Sequence, residues 1–229
     1  MLTRHGTPRR QRGLTLVELM VGIAVGLFVV AAAAMLVSTQ LNDNRRLLLE
    51  TQLQQDLRAA TDIVTRELRR AGYWTQAELG VWSPTASPLP NPFAAVAPAD
   101  EAAGQVDFQY MRRPGEQGPF GFRRDGTVVR TLLAAGGWQE LTDGSVLRVT
   151  RFEVTPRHAP PVTIACPRLC ADGTTDCWPS FVMREFEVAI EGEAVADPQV
   201  RRSLRTLVRL RNDEVRFNDA LNPNRMCPE

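Results

Sequence analysis

Residues 14–37 read LTLVELMVGIAVGLFVVAAAAMLV, 24 residues in which Glu18 carries the only charge. As a helix rising about 1.5 Å per residue the run is about 36 Å long, enough to cross the roughly 30 Å hydrocarbon core of a bilayer. It is too long for an ordinary secretory signal, whose apolar region covers about 7–15 residues. A plain N-terminal anchor fits the length but leaves Glu18 unexplained. An unpaired carboxylate in an apolar helix costs on the order of 2.5–3.5 kcal/mol even on lenient insertion scales. Arg9, Arg10 and Arg12 stand just ahead of the run, and the positive-inside tendency keeps that end cytoplasmic while the remainder is exported. Gly22 and Gly26 form a small-residue pair, read here as the ordinary glycine content of a membrane helix.

The string Arg12-Gly13-Leu14-Thr15-Leu16-Val17-Glu18-Leu19 resembles the type IV (class III) prepilin signature. That resemblance implies a leader, residues 1–13, removed by a prepilin peptidase between Gly13 and Leu14, with N-methylation of the Leu14 amine. It also implies an assembly role for Glu18 as the fifth mature residue. In a filament of packed helices the Glu18 carboxylate is expected to meet the Leu14 amine of a neighbouring subunit and fix axial register, because low dielectric favours that pairing. Major pilins usually begin with Phe. Leu14 therefore directs the resemblance towards minor pilins and pseudopilins. The implied partners are the prepilin peptidase, other minor and major pilins, and an inner-membrane assembly platform. The implied location is a single-pass inner-membrane helix with a cytoplasmic N-terminus and a periplasmic domain, and later the filament.

The helix continues past the membrane. No Pro or Gly occurs between Ser38 and Arg70, and Leu53, Leu57, Ala60, Val64 and Leu68 recur at helical spacing, the apolar stripe of an amphipathic helix. Arg69, Arg70 and Gly72 make a C-terminal stop. The spacing predicts one helix from Leu14 to Ala71, divided into a filament-core half, 14–37, and an amphipathic half, 38–72. The stripe is too short for a sustained coiled coil, so it is expected to cover a sheet.

Residues 73–104, with Pro84, Pro88, Pro90, Pro92 and Pro98, read as a long irregular connection. From Gln105 the pattern turns to strands. Val106, Phe108 and Tyr110 alternate with polar residues, and Phe120-Gly121-Phe122 and Val128 to Leu133 flank Asp125-Gly126, a hairpin signal. Val146 to Val154 follow Asp143-Gly144, then come Phe181 to Ile190 and Leu204 to Leu210, all read as core-facing strands. The expected fold is α+β and type IV pilin-like, a long N-terminal α-helix packed on an antiparallel sheet of four to six strands within a domain of residues 73–229.

Cys166, Cys170, Cys177 and Cys227 are the only cysteines. An even number behind a membrane-targeting segment favours disulfides over zinc, and the three possible pairings stay open. One of the three loop cysteines would have to reach Cys227, tying the tail to the loop. The spacing matches no common zinc pattern. Asp172-Gly173-Thr174-Thr175-Asp176 is too short for an EF-hand loop. His158 is the only histidine after residue 13, and no nucleophile elbow, phosphate loop or His-Glu-x-x-His occurs. No metal, cofactor or catalysis is expected. The net charge of +1 becomes about −3 once the four leader arginines are gone, 23 basic against 26 acidic residues. That balance does not suit direct nucleic-acid binding.

Arg69-Arg70-Ala71-Gly72-Tyr73 and Arg205-Thr206-Leu207-Val208-Arg209-Leu210-Arg211-Asn212 are similar to the helix end and final strand of PilW-type minor pilins. This resemblance implies a non-catalytic part in type IV pilus assembly, serving twitching motility, adhesion or DNA uptake. The alternatives are a minor pseudopilin of a type II secretion system and a single-pass membrane-anchored binding module.

Overall fold

The structure is a computed structural model that describes residue 13 and residues 15–80, 88–218 and 227–228. The chain divides into two compact units, residues 1–48 and 49–229. Helix α1 spans Leu16–Leu68, 53 residues.

Within the second unit, Leu53, Leu57, Ala60, Val64 and Leu68 of α1 are buried to 3% exposure or less. Each of the leucines and the valine contributes about 1.5–3 kcal/mol when taken from water. Gly192 lets this happen closely: a Cβ there would stand 2.5 Å from Leu147 and 3.5 Å from Leu57.

The helix stops three residues earlier than the stripe predicts, because its last turn tightens. Arg70 N–H and Ala71 N–H donate to Glu67 and Leu68, three residues back, and Gly72 takes φ +76° and donates to Gln109 O at 2.9 Å. Other parts of the domain satisfy the orphaned carbonyls, as a helix end requires. Arg211 N–H donates to Arg69 O at 3.1 Å, Asn212 Nδ2 to Ala71 O at 3.1 Å, and Asn91 Nδ2 to Gly72 O at 2.7 Å.

The expected α+β layout is present, but the described residues form eleven strands in three sheets rather than one sheet of four to six. The first sheet is a meander of β1 (Val96–Ala97), β2 (Gln105–Phe108), β3 (Phe120–Asp125), β4 (Val128–Leu133) and β5 (Trp138–Glu140), antiparallel throughout. Asp125 pairs with Val128, so the hairpin loop is Gly126-Thr127. The second sheet has the order β10 (Arg201–Arg209), β9 (Glu185–Ala194), β6 (Leu147–Pro156), and the third the order β11 (Glu214–Arg216), β8 (Ser180–Val182), β7 (Val162–Thr163). One core joins the helix stripe to the first two sheets: Val106, Phe108, Phe120, Phe122 and Val129 from one, and Val149, Phe152, Val154, Phe186, Val188, Ile190 and Val208 from the other.

Three expectations need correction. The connection over 73–104 contains a 3-10 turn, Ala77–Gly80, and the two-residue strand β1, both too short to leave a periodic signal. Phe181 to Ile190 is not one strand: the chain breaks at Met183-Arg184, sending β8 and β9 to different sheets. The cause is Arg184, only 4% exposed, whose guanidinium donates to Ala94 O and to Asn212 O (2.7 Å for the latter). Leu207, expected in the core, is 56% exposed, because strand alternation puts it on the opposite face from buried Val208.

Arg184 thus joins three segments, and burial pushes its pKa down, partly offset by Glu214 and Asp213. Arg184→Leu leaves the part-buried carbonyls of Ala94 and Asn212 without this donor and removes a positive charge near Asp213 and Glu214. The expected loss is about 3 kcal/mol, seen in a thermal melt of the purified protein as a Tm drop of roughly 6–12 °C.

Candidate functional site

At the N-terminus, Gly13 is exposed, while Leu14 and leader residues 1–12 lie outside the described residues. Thr15 is the residue before α1 and Glu18 the third residue of its first turn. Thr15 N–H and Oγ1–H each stand 3.2 Å from Glu18 Oε2, and Glu18 N–H donates to Thr15 Oγ1 at 3.3 Å. This is a reciprocal capping box. It satisfies first-turn donors and places a carboxylate at the positive end of the helix dipole.

Glu18 therefore has a partner within its own chain, besides the neighbouring amine expected from the sequence. Thr-x-x-Glu immediately before an apolar run was the signal for it. Beyond it, the large apolar side chains between Leu16 and Val37 are 55–77% exposed. By length and composition α1 contains a stretch able to cross a membrane.

The four cysteines form two bridges, Cys166–Cys227 across 61 residues and Cys170–Cys177 across 7. The short one closes a tight loop between β7 and β8. Asp172 Oδ1 accepts from Thr174 N–H and Oγ1–H at 3.0 and 2.8 Å, and Gly173 takes φ +80°. Those two donors hold the Asp172 carboxyl below the usual carboxylate range, so this acid serves the turn. Among the described residues, no group of three or more His, Cys, Asp or Glu is placed to hold a metal.

His158 follows β6. Its Nδ1 accepts the Glu185 N–H at 3.2 Å, and the ring meets Phe186 edge-on at 5.0 Å. Burial, then the nearby Arg184 charge, pushes its pKa down, which suits a neutral acceptor.

A cavity of about 590 Å³ lies at the foot of α1, lined by Arg70, Tyr73, Tyr110, Met111, Arg112, Arg211 and Asn212. Its wall is set by Glu67, which accepts from Tyr110 Oη at 2.6 Å and pairs with Arg70 at 3.0 Å. Tyr110 stacks on Phe120 at 4.4 Å. Sequence reasoning missed this cavity because its residues come from three segments far apart in the chain.

With this geometry in place, two family models match. Residues 8–34 match the prokaryotic N-terminal methylation motif, and residues 46–210 match prepilin peptidase-dependent protein B. The chain belongs to the prepilin peptidase-dependent protein B family. No curated protein and no solved structure matches it. In this prepilin peptidase-dependent protein the methylation motif spans the capping box and most of the apolar run, while the second model spans the buried helix stripe and the strands to β10. The apolar helix and the motif together fit an inner-membrane-anchored, type IV pilin-like protein of a generally non-catalytic kind.

Two outcomes follow from the domain. Burial, then the bond to Glu67, pushes the Tyr110 hydroxyl up to about 12. A raised folded pKa means the tyrosine's contribution is whole below its unfolded value near 10 and is lost as pH rises towards 12. Ultraviolet titration of the native protein is expected to show this late phenolate, and Tyr110→Phe to remove it. Cys227→Ser opens the 61-residue bridge, for an expected loss of up to about 4 kcal/mol, measured by denaturant unfolding under non-reducing conditions.

Proposed function

We propose that the chain is a minor pilin of the PilW type that helps initiate type IV pilus assembly, with no catalytic step of its own. The peptidase removes residues 1–13 by cutting after Gly13, and the new Leu14 amine is methylated. Residues 14–37 pass from the inner membrane into the filament core, residues 38–72 extend the helix, and residues 73–229 form the periplasmic domain. The observation that carries this reading is the methylation motif over residues 8–34, with Gly13 standing just ahead of a capped apolar helix.

Glu18 gains two tasks in this scheme. Its contacts with Thr15 run through Oε2, which leaves Oε1 to meet the methylated amine of a neighbouring subunit. The first task needs only an acceptor at the third helical position, which Gln also supplies. The second needs a negative charge.

Mass spectrometry of the protein from cells is expected to show a mature chain beginning at methyl-Leu14. An intact Met1 terminus would instead indicate a retained anchor. Glu18→Gln keeps the cap and removes the charge. It is expected to be cut normally yet to enter sheared filaments at least tenfold less, with Glu18→Ala lower still. Wild-type incorporation of Glu18→Gln would reduce the residue to a helix cap. Deleting the gene and counting surface pili beside secreted enzymes separates the pilus from a secretion pseudopilus, since loss of secretion with pili intact would assign the latter.

A further inference from the structure

Strand β10 has β9 on one side only. Which of its backbone groups face the open side follows from two bonds at the ends of the hairpin. Ala194 N–H donates to Val200 O, and Leu210 N–H donates to Arg184 O, both at 3.0 Å. The register pairs Arg202 with Gly192, Leu204 with Ile190, Thr206 with Val188 and Val208 with Phe186. Antiparallel pairing alternates hydrogen-bonded and non-bonded residues, so the even-numbered residues from Val200 to Leu210 point their N–H and C=O groups at β9. Arg205, Leu207 and Arg209 point theirs away from it. Among the described residues nothing bonds these outward groups.

The open stretch is bounded. At one end Arg202 pairs with Glu50 of α1, and a small hollow formed with Gln54, Leu57 and Arg58 adjoins Ser203 and Leu204. At the other, Arg211 N–H is bonded to Arg69 O. The far edge of the same sheet is closed: Val149 N–H donates to Thr127 O at 2.8 Å, and Val154 exchanges bonds with Ala103. Residues 205–209 are thus a window one short strand long.

The side chains bordering the window select what enters it. Arg205, Leu207 and Arg209 share the outward face. Arg205 lies 3.8 Å from Glu187 and Arg209 3.1 Å from Asp213, with the arginine side chains 60% and 53% exposed. The long, largely solvated Arg205 pair is weak, so that guanidinium can turn to an incoming acid, and the exposed side of Arg209 can meet a second acid without leaving Asp213, which is only 14% exposed. A second copy of β10 is a poor fit, since antiparallel self-pairing centred on Arg205 or on Leu207 sets arginine opposite arginine, which destabilises a sheet.

We propose that the β10 edge from Arg205 to Arg209 takes up an extended segment of a different subunit by strand addition. That segment carries acidic, apolar and acidic side chains at alternate positions, opposite Arg205, Leu207 and Arg209. Main-chain bonds supply the attachment and the alternate side chains the selectivity, as in other strand-addition complexes. The window is also where a bare edge is guarded against wrong partners, since edge charges oppose non-specific pairing. This inference names a partner for the assembly role proposed above and rests on that reading.

The test uses the full chain in its own cells, with a photo-crosslinking amino acid at Ser203. Leu207→Pro in the same chain removes one outward N–H and no bond to β9, a substitution that edge strands tolerate. The expected result is an adduct with another subunit whose crosslinked peptide has the acidic–apolar–acidic alternation. Its yield falls at least tenfold in Leu207→Pro and in the double variant Arg205→Glu, Arg209→Glu, with protein abundance and disulfide pattern unchanged. No adduct, an adduct only with a second copy, or a yield indifferent to Leu207→Pro overturns strand addition. The N-terminus is read in the same samples. A cut chain found in filaments without the adduct overturns this inference alone, whereas an uncut chain that still gives the adduct overturns the assembly reading and leaves the strand pairing standing.

Discussion

The burial of Leu53, Leu57, Ala60, Val64 and Leu68 against two sheets at once is the contact on which the rest of the domain is arranged. A helix offers one apolar stripe, and here two antiparallel layers share it. The meander supplies aromatic residues, Phe108, Phe120 and Phe122, and the β10-β9-β6 sheet supplies mainly β-branched ones. Because the two layers meet over one stripe, β6 must run close to the meander, and the bonds from Val149 to Thr127 and between Val154 and Ala103 join them there. Shape decides the fit as much as hydrophobicity does, since Gly192 leaves room for Leu57 and Leu147 where any side chain would intrude.

The end of that helix carries a second constraint. Four residues after Leu68, the chain must turn out of the helix without leaving its last carbonyls buried and unpaired. Residues from distant segments, Asn91, Arg211 and Asn212, provide the donors. Arg184 then ties Ala94 to Asn212 behind them. A buried arginine is costly unless its donors find partners, and bonding its two terminal nitrogens is what breaks the apolar run of residues 181–190 into two strands. The same junction brings Arg70, Arg112 and Arg211 around one cavity, so helix termination and this cavity have a common origin.

Outside the core the second sheet shows a different logic. Glu193 of the central strand lies between Arg148 at 3.1 Å and Arg201 at 3.2 Å, and Glu187 lies between Arg157 and Arg205. Each glutamate is flanked by arginines on both sides of β9, which makes this face charged and an unsuitable surface for apolar packing. The N-terminal apolar run is the opposite case, with its side chains exposed and in need of lipid or other helices for cover. A lipid bilayer and a bundle of packed helices would each supply that cover.

The sequence by itself determined the membrane-length run, the position of Gly13 and Glu18 before and within it, the helix stripe, and the presence of antiparallel strands after residue 105. These are legible because each is written in a local spacing: a run of apolar residues, a period of 3.6, a period of 2. It also held the Thr15–Glu18 cap, which four residues suffice to show. Tertiary structure alone decided the pairing of Cys166 with Cys227 and of Cys170 with Cys177, the division into three sheets, the split at Arg184 and the exposure of Leu207. Those outcomes depend on which distant groups arrive at one place. A buried arginine looks like any other arginine in a strand-like run until Ala94 and Asn212 come within reach of it.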